Sequence, residues 1–85
     1  MMHTIRCHVL LFAQLRESLG VDRFEIELPE STTVRDALER LAAIHEPIAA
    51  MRGKLAVAID DRYAPMTEML RDGAEIAIIP PVSGG

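Results

Sequence analysis

Hydrophobic side chains alternate with polar or small ones in several short stretches of this chain and recur at helical spacing in one longer stretch. The alternation predicts strands over 4–12, 23–28, 54–59 and 75–79, because successive side chains of a strand point to opposite faces. The helical spacing predicts a main helix over about 34–45 with an apolar stripe that packs on a sheet. That stripe consists of Val34, Ala37, Leu38, Leu41, Ala42 and either Ile44 or His45.

Turn and capping residues divide these stretches. Gly20 closes a short predicted helix over 13–19, as glycine does where the backbone turns left-handed. Thr33, followed three residues later by Asp36, predicts the start of the main helix, and we expect Pro47 to stop it. Strands that precede and follow one long helix predict an α+β domain, a mixed sheet with the main helix packed on one face.

Length and charge exclude several classes of protein. The chain has 85 residues and a formal charge of −4, without the basic stripe that nucleic acid or an anionic membrane would require. We expect neither partner. Cys7 is alone within a strand, and no signal peptide is visible, so we expect a reducing, cytoplasmic location. His3, His8 and His45 stand apart from other ligand residues, so we expect no metal site.

The last six residues are unusual for a folded domain. Two prolines end the last strand, and the chain finishes in two glycines. A terminal carboxylate without neighbouring side chains can enter a narrow channel of a partner. We therefore predict one domain over 1–81 and a flexible, functional tail over 82–85. From the glycines alone, an inert tail is an equally good interpretation.

Three segments resemble the small subunit of molybdopterin synthase, a protein of the ubiquitin-like β-grasp fold. These are Leu-Phe-Ala-Gln-Leu-Arg-Glu at 11–17, Asp-Gly-Ala-Glu-Ile-Ala at 72–77 and Pro-Pro-Val-Ser-Gly-Gly at 80–85. The resemblance covers essentially the whole chain. It implies that Gly85 is adenylated, converted to a thiocarboxylate, and donates sulfur to the cyclic pyranopterin precursor in molybdenum cofactor biosynthesis.

The same resemblance implies two protein partners. One is an ATP-dependent enzyme that adenylates and sulfurates Gly85, and the other is the large synthase subunit, in a complex of two small and two large subunits. The residues that would thread into a partner are Pro80, Pro81, Val82, Ser83 and Gly84. The chain itself has no phosphate-binding loop and no nucleophile beside a base, so we expect no bound cofactor and no catalysis by this subunit alone.

Strand alternation also predicts a docking face. If Cys7 and Val9 face the main helix, then the apolar side chains opposite them lie on the outer sheet face, where a partner could cover them. The candidates are Leu10, Phe12, Ala77 and Ile79, with Tyr63 and Arg16 beside them. Two alternatives remain at this point. Some of these side chains could cover the edge of the core, and Arg16 could form an exposed helix salt bridge.

Three other functions remain open from the residues. The chain could carry sulfur in another pathway, as the thiamine-pathway carriers do, or it could be a ubiquitin-like modifier that forms isopeptide bonds with lysines. It could also be a plain interaction module whose tail is inert.

Overall fold

The computed structural model describes residues 3–81, and it contains five strands and three helices in that range. In chain order they are β1 (Thr4–Leu11), α1 (Ala13–Leu19), β2 (Arg23–Pro29), α2 (Val34–Ile44), α3 (Glu46–Ala50), β3 (Ala56–Ile59), β4 (Arg62–Tyr63) and β5 (Glu75–Ile79). A short 3-10 turn, Arg52–Lys54, lies between α3 and β3. Within the described residues, no helix is long and apolar enough to cross a membrane.

The five strands form one mixed sheet in the order β2-β1-β5-β3-β4. The central strand β5 is parallel to β1 and antiparallel to β3, and the two outer pairs are antiparallel. Buried side chains of all three helices belong to one cluster with the inner-facing side chains of the sheet. The predicted α+β class, a mixed sheet with the main helix on one face, is therefore confirmed.

The core follows the predicted alternation. Its members from the two paired central strands are Ile5, Cys7, Val9, Leu11, Ile76 and Ile78, and those from α2 are Val34, Ala37, Leu38, Leu41 and Ala42. At the end of α2 the sequence left two candidates for the stripe. Ile44 is 69% exposed, whereas His45 is half-buried with its ring centroid 5.5 Å from that of Phe24. His45 is therefore the residue that faces inward.

Pro47 does not have the predicted role. Helix α2 ends at Ile44, and His45 has extended backbone angles (φ −118°, ψ 107°). The chain then re-enters helical structure, and Pro47 lies in the first turn of α3, which the sequence analysis did not predict. Proline fits that position because the first N–H groups of a helix have no partner within the helix. The backbone change at His45 therefore ends the main helix before Pro47 is reached.

The predicted left-handed turn at Gly20 and the predicted cap at Thr33 are confirmed. Gly20 has a positive φ angle of 78°, and Gly73, before β5, also has one, 85°; glycine adopts such angles without steric cost. The side chain of Thr33 accepts a hydrogen bond of 3.2 Å from the backbone N–H of Asp36, which satisfies one of the free donors at the start of α2. The cap at Thr33 marks where α2 begins.

We predict that Leu41→Ala lowers the free energy of unfolding by about 2–5 kcal/mol, because Leu41 is 1% exposed and its truncation leaves a cavity. Ile44→Ala is the matched control, since it removes an aliphatic side chain of the same size from the same helix where the side chain is exposed. It should change the free energy by no more than about 0.5 kcal/mol. Denaturant titration measures both. Equal losses in the two variants would contradict the packing described for α2.

Candidate functional site

A row of apolar side chains crosses the outer face of the sheet. Residues that pair directly across strands point to the same face. Leu10 pairs with Ala77, Ala77 with Ala58, and Ala58 with Tyr63. One residue earlier on each strand, Val9 pairs with Ile76, and both side chains are buried in the core. The row from Leu10 to Tyr63 therefore lies on the face opposite the helices.

A second apolar row lies beside the first, toward the end of β5. Ile79 pairs with Ala56, and Leu11 pairs with Ile78, so one further step along the chain puts Phe12 beside Ile79. Phe12 is 42% exposed and Tyr63 is 74% exposed. We refer to the two rows together as the apolar face, and its members are Leu10, Phe12, Ala56, Ala58, Tyr63, Ala77 and Ile79.

Ala56 and Ala58 are members that the sequence analysis did not include among the candidates. The alternation of the third strand already separated them from the inner-facing Leu55, Val57 and Ile59. The sequence did not show which strand lies next to the third strand. Only the observed pairing of β3 with β5 puts both alanines beside Ala77 and Ile79. Ala58 is buried, yet it is not part of the core cluster, which agrees with its position on the outer face.

The other half of the outer sheet face is charged. Arg6 lies 3.9 Å from both Glu25 and Glu27, and His8 lies 3.7 Å from Glu25. Glu75, at the start of β5, pairs with His8 across the strands. All of these side chains are at least partly exposed, so each pair contributes little to stability. The outer face thus changes from charged to apolar along the direction of β5.

The C-terminal segment leaves the domain at the apolar end of this face. Strand β5 runs from Glu75, in the charged half, to Ile79 in the apolar half. The alternation of buried positions continues past the strand, so that Ile76, Ile78 and Pro80 are buried while Pro81 is exposed. The base of the tail is therefore fixed in the core, next to the apolar face.

This placement bears on one prediction. The resemblance put Pro80 with Pro81 in the part that threads into a partner, whereas the predicted domain over 1–81 included both prolines. Pro80 continues the inner-facing set of β5 and is buried in the isolated chain, and its part in threading stays a prediction. Val82, Ser83, Gly84 and Gly85, the remaining tail candidates, lie outside the described residues.

Arg16 lies on the exposed side of α1, in its last turn. Among residues 3–81 it forms no salt bridge, so the predicted alternative of a helix ion pair is not present there. Helix α1 begins directly after Phe12, which connects Arg16 to the apolar end of the sheet. Its role in binding a partner stays a prediction.

Cys7 is not available as a nucleophile. Its side chain is fully buried within the core, and the burial raises the pKa of the thiol, so that the thiolate is disfavoured. In the range 3–81, no three His, Cys, Asp or Glu side chains come together in a way that could hold a metal ion. Cys7 is thus a residue of the core and not a candidate for chemistry.

A mixed five-stranded sheet covered by one main helix, with an apolar outer face where the chain leaves β5, defines a small protein of the ubiquitin-like β-grasp fold. The model of the ThiS family matches residues 9–85, which is nearly the whole chain and includes the two terminal glycines. The chain belongs to the ThiS family.

Proteins similar to this chain include relatives with assigned roles. The molybdopterin synthase sulfur carrier subunit of Haemophilus influenzae is 40% identical, and the match covers 92% of this chain and 98% of the relative. A solved structure from Pyrococcus furiosus, described as a putative molybdopterin converting factor subunit 1, is 34% identical with a TM-score of 0.82, covering 92% of this chain and 99% of that one. Small archaeal modifier protein 1 of Haloferax volcanii is 28% identical with a TM-score of 0.79, covering 92% and 99% of the two chains.

Proposed function

We propose that this chain is the sulfur carrier subunit of a molybdopterin synthase and that Gly85 carries the sulfur as a thiocarboxylate. The main support is the match over nearly the full length to relatives that bear this name. A further support is that the described part of the chain ends next to the apolar face, of which Phe12 and Tyr63 are exposed. The cytoplasmic location expected from the sequence stays a prediction.

The chemistry requires activation from outside. An α-carboxyl group ordinarily has a pKa of about 3.5, so it is a stabilised anion at neutral pH and resists attack. An ATP-dependent enzyme would transfer AMP to the Gly85 carboxylate with release of pyrophosphate. A sulfur nucleophile would then displace AMP and leave the thiocarboxylate. Its sulfur is a good nucleophile toward the cyclic pyranopterin precursor, and hydrolysis of the resulting thioester bond to Gly85 returns the carboxylate.

The apolar face is the proposed docking site for the large synthase subunit. Two of its side chains, Phe12 and Tyr63, are aromatic and exposed, and aromatic residues are enriched among those that contribute most to binding. The charged half of the same sheet face favours one orientation of the partner, because like charges opposed across an interface are unfavourable. We extend this proposal to a complex of two small and two large subunits, with Arg16 at the rim of the interface.

The anchored base of the tail makes insertion into the partner more favourable. Pro80 is buried, so the position of Pro81 relative to the apolar face is fixed once the domain has docked. The four residues beyond Pro81 then span at most about 13 Å when extended. A fixed base and a short tail lose less conformational freedom on insertion than a long free segment would.

A protein modifier is the second candidate function, and the similarity to small archaeal modifier protein 1 favours it. Both functions begin with an activated Gly85, but they differ in the acceptor. A carrier gives sulfur to a small molecule, whereas a modifier forms an isopeptide bond with a lysine of another protein. Conjugates of higher mass that survive reducing denaturation would identify the modifier.

We predict that incubation with the ATP-dependent activating enzyme, ATP and a sulfur donor raises the intact mass of the chain by about 16 Da, since sulfur replaces one oxygen of the terminal carboxylate. Mass spectrometry of the C-terminal peptide locates the change. A variant that lacks Gly85 is the control and should gain no mass, while its fold remains unchanged. Absence of the gain in the full chain would contradict the proposed function.

We predict that Tyr63→Ala weakens binding to the large subunit at least about ten-fold, because it removes an exposed aromatic side chain from the apolar face. Ile44→Ala is the matched control, since it removes a similarly exposed apolar side chain from α2, on the helical side of the domain. The control should bind within about two-fold of the unmodified chain. Calorimetric titration measures both, and an equal effect in the two variants would show that the apolar face is not the docking site.

A further inference from the structure

Strand β2 forms a free edge of the sheet. It is the first strand in the order β2-β1-β5-β3-β4, and within the described residues only β1 pairs with it. Such an edge presents backbone N–H and C=O groups that can pair with a strand of another molecule. The opposite edge strand, β4, has two residues, whereas β2 has seven. Of the two edges, β2 is therefore the one long enough to accept a further strand.

Backbone hydrogen bonds show which groups of β2 point away from β1. At one end of the pair, the N–H of Leu11 donates a 2.9 Å hydrogen bond to the carbonyl of Asp22, and at the other end the N–H of Glu30 donates one of 3.0 Å to the carbonyl of His3. Bonded and non-bonded positions alternate along antiparallel strands, so every second residue from Asp22 to Glu30 bonds to β1. The residues between them direct their backbone groups to the free edge, and within the strand these are Arg23, Glu25 and Glu27.

The other side of β1 agrees with this assignment. The N–H of His8 donates a 2.9 Å hydrogen bond to the carbonyl of Ala74, directly before β5. His8 thus directs its backbone groups toward β5, and its partner on β2, Glu25, receives no backbone bond from it. Pro29 ends the free edge, because it has no N–H and its carbonyl accepts a hydrogen bond from Oγ1 of Thr32.

The helix-facing side chains of the edge strand are incompletely covered. Phe24 and Ile26 pack against the core cluster but are only half-buried, whereas their partners on β1, Val9 and Cys7, are fully buried. The difference arises because β1 has a neighbouring strand on both sides and β2 has one on a single side. Apolar side chains of an added strand would cover the exposed parts of Phe24 and Ile26.

The outer-facing side chains of the same strand have a defined order of charge. Arg23, Glu25 and Glu27 are exposed, and their charges follow in the order positive, negative, negative. Opposite charges paired directly across strands are favourable, and like charges are unfavourable. An antiparallel strand that complements this row therefore has, from its N-terminus, a basic, an apolar, a basic, an apolar and an acidic residue.

A second copy of this chain fits the edge less well. Pairing β2 with β2 antiparallel over the whole free edge opposes the two copies of Glu25, which is unfavourable. Both copies also carry a formal charge of −4, and this adds repulsion between them. Charge complementarity thus favours a segment of a different protein.

We propose that the free edge of β2, from Arg23 to Glu27, is a docking site for an extended segment of a partner protein with the order basic, apolar, basic, apolar, acidic. The segment adds a sixth strand antiparallel to β2. Its backbone bonds to the three residues whose groups are free, its apolar side chains cover Phe24 and Ile26, and its charged side chains lie opposite the outer row.

This site goes beyond the proposed function and does not depend on it. Strands β2 and β4 are the two edges of the sheet, so four strand spacings, about 19 Å, separate the docking segment from Tyr63. A segment on β2 therefore leaves that end of the apolar face uncovered.

The test uses the full chain and a synthetic probe, the acetylated and amidated peptide Thr-Lys-Val-Lys-Val-Glu-Thr. We expect a dissociation constant of about 1 mM, because few residues pair. In an NMR titration of the ¹⁵N-labelled chain, the amide protons of Arg23, Glu25 and Glu27 should move downfield and exchange more slowly with solvent. The amides of Phe24 and Ile26 already bond to β1 and should change less.

Two controls separate strand pairing from general charge attraction. The peptide Thr-Lys-Lys-Val-Val-Glu-Thr has the same composition without the alternation, and it should bind at least about three-fold more weakly. The variant E25K should also bind the first probe at least about three-fold more weakly, and it should regain affinity when the second lysine of that probe is replaced by glutamate. Glu25 is exposed and its ion pairs are long, 3.7 and 3.9 Å, so the fold should be unchanged.

Equal binding of the two peptides would overturn the proposal, as would unchanged affinity in E25K or the largest shifts at Tyr63. Slower exchange of the Glu25 amide that grows with protein concentration in the absence of peptide would also overturn it, since a second copy would then be the occupant. The experiment uses no activating enzyme and no sulfur donor, so its failure would leave the sulfur-uptake result unaffected.

Discussion

The pairing of β5 with β1 on one side and β3 on the other is the constraint on which the rest of this structure depends. It decides which residues of the central strand face the helices. With the observed register, Ile76, Ile78 and Pro80 are buried, and Ala77 and Ile79 lie on the outer face. A slip of one residue would exchange the two sets, bury Glu75 against the core and expose two isoleucines. Core formation, the apolar face and the place where the chain leaves the sheet therefore follow from one register.

The apolar face is explained better by binding than by folding. Large exposed apolar side chains contribute little to the stability of an isolated domain, and when clustered they indicate an interaction surface. Here the cluster lies at the end of the sheet where the C-terminal segment leaves the domain. Docking through this face would hold Pro81 at a fixed place on the partner, so that a short tail could deliver its terminal group with little further ordering.

Local signals made much of the fold predictable. Strict alternation marked the strands, Gly20 marked a turn with positive φ, and Thr33 marked the start of the main helix. The errors arose where tertiary packing decides. Helix α3 was not predicted, because Pro47 could either follow a helix or begin one. The burial of Pro80 could not be predicted, because only the observed strand pairing shows that the inner-facing set continues past Ile79.

The candidate site was predicted only in part, because it too depends on which strands are neighbours. Alternation within one strand put Leu10 opposite Val9, but it could not show which strands are neighbours. Ala56 and Ala58 became members of the apolar face only through the pairing of β3 with β5. The proposed role of Gly85 came from the resemblance of the flanking segments, since two glycines alone are equally consistent with an inert tail.

The central claim is that the apolar face binds the partner and that the tail beyond Pro81 has the length needed to bring its reacting group to the right place on that partner. Insertion of two glycines between Pro81 and Val82 tests it most directly, with the dissociation constant and the rate of sulfur transfer measured separately in the reconstituted complex. The account predicts a dissociation constant within about three-fold of that of the unmodified chain. It also predicts a rate of sulfur transfer reduced at least about a hundred-fold, because the reacting group is no longer correctly placed. Unchanged transfer, or a parallel loss of binding and transfer, would contradict it.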